Sequence, residues 1–325
     1  MSRVNIFLPC AHPHSLSAHD SATGSPTGHT HRIFQKETVM HLSMAKKALS
    51  TLVLLNVIYA PSALSETGVH SKASFKVLSR ADCKTLESRG VITANNPVPC
   101  HRLSKVRFRY VSDTGVIKSD GELVVLDSIA PHVASLTDEL LERKFYIAKA
   151  APVEAYGGDD QASMADNNTS AFNGRAITGG SKWSMHAYGA AIDINPVQNP
   201  FIDIAEDGLA KVSPSRSAYY SVNRSQERPG KPAREGMAEE VVDLFARHGF
   251  FVWGGDWNYP IDYQHFQIGP RSFVDTLAAR NFAEGQGLID EYISMYKACR
   301  EPNKSADKHN ASRQVCISNV LEAMP

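Results

Sequence analysis

The stretch Ser184 to Pro196 places His186 and Asp193 seven positions apart with Gly189 between them, and a second cluster, Asp262 to Phe266, lies well downstream. This pairing constrains the fold more than any other feature of the chain. Residues on one helix face sit three or four apart, so a spacing of seven excludes a single helix face. It fits a turn that runs into a strand, with Gly189 letting the backbone bend. Ala190 to Ile194 reads as that strand, with Ile192 and Ile194 on one face and Asp193 on the other. Asn195 precedes Pro196, which keeps the chain extended. Two histidines, an aspartate and one further carboxylate are the parts of a catalytic zinc site. Such a site uses three N/O ligands and an open position for water, and the spare carboxylate serves as a base. His186, Asp193 and His265 are the expected ligands for one Zn2+ per chain. For any single one of the 13 histidines a satisfied polar role is the simpler reading, but these two occur together in a spaced motif.

Three blocks in order, Asn168 to Arg175, Thr178 to Ser181 and Ser184 to Pro196, resemble the M15 metallopeptidases. These are D-alanyl-D-alanine carboxypeptidases and L-alanyl-D-glutamate endopeptidases that cut bacterial peptidoglycan peptides. The resemblance covers roughly residues 100 to 270. It implies an M15 (DD-carboxypeptidase/hedgehog-like) zinc peptidase core and a peptidoglycan peptide substrate. It also implies that Asp262, three residues before His265, is the catalytic base, and that Arg175 holds the substrate and its polarised carbonyl. Ser184 matches the family's serine, as a substrate contact or as a cap on the turn. Gly174 departs from the pattern, since a cysteine often precedes the arginine.

The chain has 325 residues with 34 basic and 34 acidic side chains, and this balance gives no basic patch for nucleic acid. No apolar run reaches membrane-spanning length. Residues 1–43 show no sustained periodicity. Met44-Ala45-Lys46-Lys47, the apolar Ala48 to Ala60 and the small residues to Ser65 then read as a secretory signal peptide. The expected organisation is an extension and signal over residues 1–65 (signal about 44–65), a polar lead-in over 66–104, a peptidase domain over 105–295 and a tail over 296–325, in a monomeric periplasmic or secreted protein. The mature part keeps Cys83, Cys100, Cys299 and Cys316. An even number after an export signal suggests disulfides, with three pairings open. Cys83 with Cys100 and Cys299 with Cys316 would each staple a local loop. A four-cysteine zinc site is the alternative, although no C-x-x-C pair exists.

Val106 to Val111 and Glu122 to Leu126 read as paired strands around the Asp113-Thr114-Gly115 turn. Ile129 to Arg143 has helical apolar spacing. Tyr146 to Val153 reads as a strand, 157–183 as a long functional loop and 203–232 as a surface insertion. Met237 to His248 is expected to be helical, Phe250 to Trp253 and Gln264 to Ile268 to be strands, and Ser272 to Lys297 to be helical. With few βαβ units the fold class is α+β, a small antiparallel sheet with flanking helices. Two other functions fit parts of the pattern: a non-catalytic cell-wall binding module, and a serine hydrolase built on Ser184, His186 and Asp193. The latter lacks a G-x-S-x-G elbow.

Overall fold

The structure, a computed structural model, describes residues 72–225, 228–301 and 312–325. The expected N-terminal extension and signal peptide lie outside the described residues. The architecture is α+β, with small sheets, mostly antiparallel, among helices. In chain order it begins with β1 (Ser74–Val77), α1 (Arg80–Ser88), β2 (Leu103–Val111), β3 (Ile117–Leu126) and α2 (Ala130–Glu142). β2 and β3 form an antiparallel hairpin, and β1 adds to the outer edge of β2. Period-two alternation turns Val106, Phe108 and Tyr110 inward and leaves Arg107 exposed. α2 buries Val133, Leu136 and Leu140, one stripe at helical spacing, in the same core as these strands.

The middle of the chain carries β4 (Lys149–Ala150), α3 (Asp160–Ala165), β5 (Asn168–Thr169), β6 (Ala191–Asp193), β7 (Phe201–Ile204) and β8 (Ala210–Ser213). After these come α4 (Val242–Arg247), β9 (Val252–Trp253), β10 (Ile261–Asp262) and β11 (His265–Gln267), and then α5 (Arg271–Ala279), α6 (Phe282–Arg300) and α7 (Arg313–Ala323). These strands build two further three-stranded sheets, one in the order β6-β11-β9 and one in the order β10-β7-β8.

Several expected elements differ in extent. The strand expected over Tyr146 to Val153 shrinks to β4, because Pro152 leads directly into a 3-10 turn over Val153–Tyr156. The expected loop 157–183 contains α3, whose first turn is capped by the Asp159 carboxylate accepting from the Ala162 N–H. Six residues are too few to display an amphipathic period. The expected insertion begins inside the β7–β8 hairpin. The helix expected over Met237 to His248 is a 3-10 turn, Ala238–Glu240, followed by α4. The helix expected over Ser272 to Lys297 is two helices, broken where Asn281 caps α6 by accepting from the Glu284 N–H. Residues 74–77 of the polar lead-in form β1, and part of the C-terminal segment forms α7, which buries Cys316 and Val320.

The cysteines pair as Cys83–Cys100 and Cys299–Cys316. All four are consumed, which removes the four-cysteine metal site. No helix among the described residues is long and apolar enough to cross a membrane.

Phe266, at the centre of β11, is fully buried and stacks on Phe245 with ring centroids 3.9 Å apart and on Trp253 at 6.3 Å. Phe266→Ala removes this packing, and a loss of about 3–5 kcal/mol is expected in urea unfolding. A loss below about 1 kcal/mol would show that β11 is held by other contacts.

Candidate metal centre and active-site cleft

His186 lies in a 3-10 turn, Met185–Tyr188, whose first residue is preceded by Ser184. The Ser184 hydroxyl accepts from the His186 N–H at 3.3 Å, so this serine caps the turn. The turn ends on Gly189 with φ of 67°. A side chain there would also meet the Leu126 nitrogen at 2.6 Å, so glycine is required both for its left-handed backbone and for the close approach to β3. The chain then enters β6. Antiparallel pairing of β6 with β11 sets Asp193 directly opposite His265. Directly opposed residues present their side chains on one face.

Three atoms converge. His186 Nε2 and His265 Nδ1 are 3.2 Å apart, His265 Nδ1 and Asp193 Oδ1 are 3.1 Å apart, and His186 Nε2 and Asp193 Oδ1 are 3.2 Å apart. All three side chains are buried. Their surroundings fix the tautomers. His186 Nδ1 lies 2.6 Å from the Ala171 carbonyl, which can only accept, so Nδ1 carries the proton and Nε2 presents a lone pair. The Gln267 amide donates to the Gly269 carbonyl at 2.8 Å, which turns its Oε1 toward His265 Nε2 at 2.9 Å. That nitrogen therefore carries the proton, and His265 Nδ1 also presents a lone pair. Two imidazole lone pairs and a carboxylate oxygen thus face one another, and the arrangement calls for a cation.

The geometry fits a zinc ion. Tetrahedral bonds of about 2.0–2.1 Å imply ligand-to-ligand edges of about 3.3–3.4 Å, close to the three edges observed. The hydrogen bonds behind each imidazole are the outer support that metal-ligating histidines require. These three residues could hold a metal ion.

Electrostatics point the same way. Burial opposes the charged form of His186, but the Asp193 carboxylate outweighs it and raises the imidazole above its ordinary value. Burial likewise opposes ionisation of Asp193, yet His186 and His265 hold it well below the usual carboxylate range. Asp262 behaves oppositely. It is half-buried, and burial of its carboxyl group, followed by repulsion from Asp193, pushes it up to about 7. Its Oδ1 has no protein partner. Asp262 ends β10, paired with Phe201 of β7, and its backbone and Cβ pack against Gly254, where a side chain would meet the Asp262 carbonyl oxygen at 2.4 Å.

A cleft of about 390 Å³ is lined by the three converging residues together with Asp262, Arg175 and Ser184. The structure thus brings together all six residues singled out from the sequence. Arg175 donates to Asp160 Oδ2 at 2.8 Å and to the Ala176 carbonyl at 3.1 Å, while its Nε has no partner. Trp257 lines the cleft, with its ring 5.3 Å from that of His265. Sequence reasoning missed Gln267, Asp160 and the Ala171 carbonyl. Gln267 was within reach, since it lies two residues beyond His265 on the same strand face. Asp160 and Ala171 meet the site only through tertiary folding.

Residues 178–268 match the family described as D-alanyl-D-alanine carboxypeptidase, one of the M15 peptidases. The matched segment supports a hydrolase of the peptidase class. The matched segment contains His186, Asp193, Asp262 and His265, and it supports a peptidase of the M15 type. No curated protein and no solved structure matches the chain.

Gln267→Ala frees the His265 tautomer, and zinc affinity in a chelator competition should fall about 10- to 100-fold; unchanged affinity would exclude Gln267 as the orienting group. In metal-free protein, a carboxyl whose folded value lies above its unfolded one binds more protons in the folded state. Asp262 should therefore make stability fall as pH rises from about 4 to about 7. Asp262→Asn should flatten that slope in denaturation measured across the same range, and an unaltered slope would contradict the assignment.

Proposed function

We propose that this protein is a zinc-dependent peptidase that hydrolyses an amide bond in peptidoglycan stem peptides, as a D-Ala-D-Ala carboxypeptidase or an L-Ala-D-Glu endopeptidase. The observation that carries this reading is the convergence of three deprotonated donor atoms, on His186, Asp193 and His265, beside a half-buried Asp262 whose buried Oδ1 has no protein partner. The match over residues 178–268 supports the peptidase class. The reading takes the surrounding fold as the M15 (hedgehog-like) core and the active form as a monomer with one zinc.

Zinc bound by these three residues would supply a Lewis acid for the scissile carbonyl and a lowered pKa for water. Asp262 accepts a proton from the attacking water and returns it to the leaving amine nitrogen, so one water is consumed and an acid and an amine are released. Its buried setting suits this role, because a carboxyl that titrates near 7 both accepts and donates at neutral pH. Arg175, steadied by Asp160, offers its remaining N–H groups to the substrate. Ser184 keeps His186 in place through the turn and also lines the cleft.

The two disulfides fit an oxidising, extracytoplasmic compartment, periplasmic or secreted. The site chemistry is less suited to a serine hydrolase, because the Ser184 hydroxyl is engaged as an acceptor in the turn and His186 Nε2 faces Asp193. A non-catalytic cell-wall binding module would leave the unpartnered Oδ1 of Asp262 without a role.

The test is peptide release from purified peptidoglycan, with and without a chelator, read by mass spectrometry. Chelator-sensitive release is expected, and the product masses identify the bond. Asp262→Asn should lower kcat about 10²- to 10⁴-fold while zinc stays stoichiometric. Intact peptidoglycan from zinc-loaded protein would favour the binding module, and loss of zinc in the variant would make Asp262 a ligand.

A further inference from the structure

The loop between α1 and β2 is closed by a disulfide and packs against both halves of the Arg175–Asp160 ion pair. Cys83 lies on α1 and Cys100 just before β2, so their bond ties the intervening residues into one ring. Within it Val91, Ile92 and Val98 are buried in the main core. The Val91 carbonyl accepts from the Gly174 N–H at 3.1 Å. A side chain on Gly174 would meet that carbonyl oxygen at 2.3 Å and the Asn96 amide nitrogen at 2.5 Å. Asn96 is itself fixed, since its Oδ1 accepts from the Thr93 N–H at 2.8 Å. Glycine thus stands where the M15 pattern often carries a cysteine because the disulfide loop fills the space a side chain would need.

The same loop reaches the other half of the pair. The Arg89 guanidinium donates to the Glu154 carbonyl at 2.5 Å, and a side chain on Gly158 would meet Val91 Cγ2 at 3.5 Å. Glu154 and Gly158 precede α3, whose first residue is Asp160. Asn173 is buried and ties the two segments together, its Nδ2 donating to the Gly158 carbonyl at 3.3 Å. Arg175 follows on irregular chain, and its guanidinium donates to Asp160 Oδ2 at 2.8 Å at the edge of the cleft. No helix or strand carries Arg175, and α3 has only six residues. A group on irregular chain is placed only as well as the backbone contacts beneath it.

We propose that the Cys83–Cys100 loop is a positioning element for Arg175. The disulfide holds Val91 and Asn96 against Gly174, and this contact sets where Arg175 and Asp160 stand in the cleft. The loop acts on the substrate arginine, whereas Asp193 and His265 are placed by the β6–β11 pairing. The effect on turnover rests on the peptidase reading, while the hold on Arg175 stands on the loop's own contacts.

The experiment replaces Cys83 and Cys100 together by serine in the zinc-loaded full-length protein. The paired replacement of Cys299 and Cys316 by serine is the control that removes a staple elsewhere. Amide hydrogen exchange is read by mass spectrometry over residues 172–176 and over β6 and β11, and kcat/KM is measured on soluble peptidoglycan fragments. Loss of the Cys83–Cys100 bond should speed exchange over 172–176 about tenfold, with β6, β11 and zinc content unchanged, and the control should not. The same variant should lose about 10- to 100-fold in kcat/KM. In an Arg175→Lys background, where the guanidinium fork is already gone, it should lose less than about twofold. Gly174→Ala keeps the disulfide but forces the loop away, so it should reproduce the local exchange and the kinetic loss, and it decides the case should the serine pair fail to fold. Unchanged exchange over 172–176, or an equal rise over β6 and β11, would overturn the proposal. So would an unchanged kcat/KM, or the full loss in the Arg175→Lys background. Faster local exchange in a protein whose parent cleaves no fragment would uphold the loop's hold on Arg175 and overturn the peptidase reading.

Discussion

The pairing of β6 with β11 holds two distant parts of the chain in a single register, with Asp193 opposite His265 and Ile192 opposite Phe266. Everything at the site depends on it. A slip of one residue would turn Asp193 and His265 into the core and bring Ile192 and Phe266 to the cleft. The register is enforced from below by the apolar alternation, since Phe266 is locked between Phe245 and Trp253. The core therefore determines where Asp193 and His265 stand, and the polar contacts behind the imidazoles determine which nitrogen each histidine offers.

The second constraint is electrostatic. Placing a carboxylate and two imidazoles in a buried space costs free energy unless a cation or protons resolve the contact. The protein directs the imidazole protons outward, to the Ala171 carbonyl and to Gln267 Oε1, and leaves the inward side bare. Asp262 is kept apart from this arrangement, on a different sheet. It sits close enough for Asp193 to raise its proton affinity, and Gly254 admits its backbone at close range. Two carboxylates with opposite shifts thus share one cleft, the pattern that the proposed division between metal binding and proton transfer calls for.

Much of this site could be read from the sequence because its chemistry lies in two short motifs. The His186 to Asp193 spacing already implied a turn into a strand, and Gly189 marked the bend. The β2–β3 hairpin and α2 were legible from strong local periodicity. What escaped was short or hidden by composition. α3 is a single capped turn and a half, below the length at which a helical period shows. In β7 the alternation Phe201-Ile202-Asp203-Ile204 was present, but the Gly- and Pro-punctuated residues after it made the region read as an insertion. Its outward face is polar because it lines a cleft, so polarity there reflected the site and not a loose surface. Asp160 and the Ala171 carbonyl could not be found from any local pattern, because only the fold brings them to Arg175 and His186.

The central claim is that the three convergent atoms form a metal centre with nitrogen and oxygen ligands only. X-ray absorption at the zinc edge of the reconstituted full-length protein tests it most directly. The account predicts one zinc per chain with a four-coordinate N/O shell near 2.0 Å, no sulfur, and loss of that signal in His186→Ala. A sulfur shell near 2.3 Å, or stoichiometric zinc retained without His186, would contradict it.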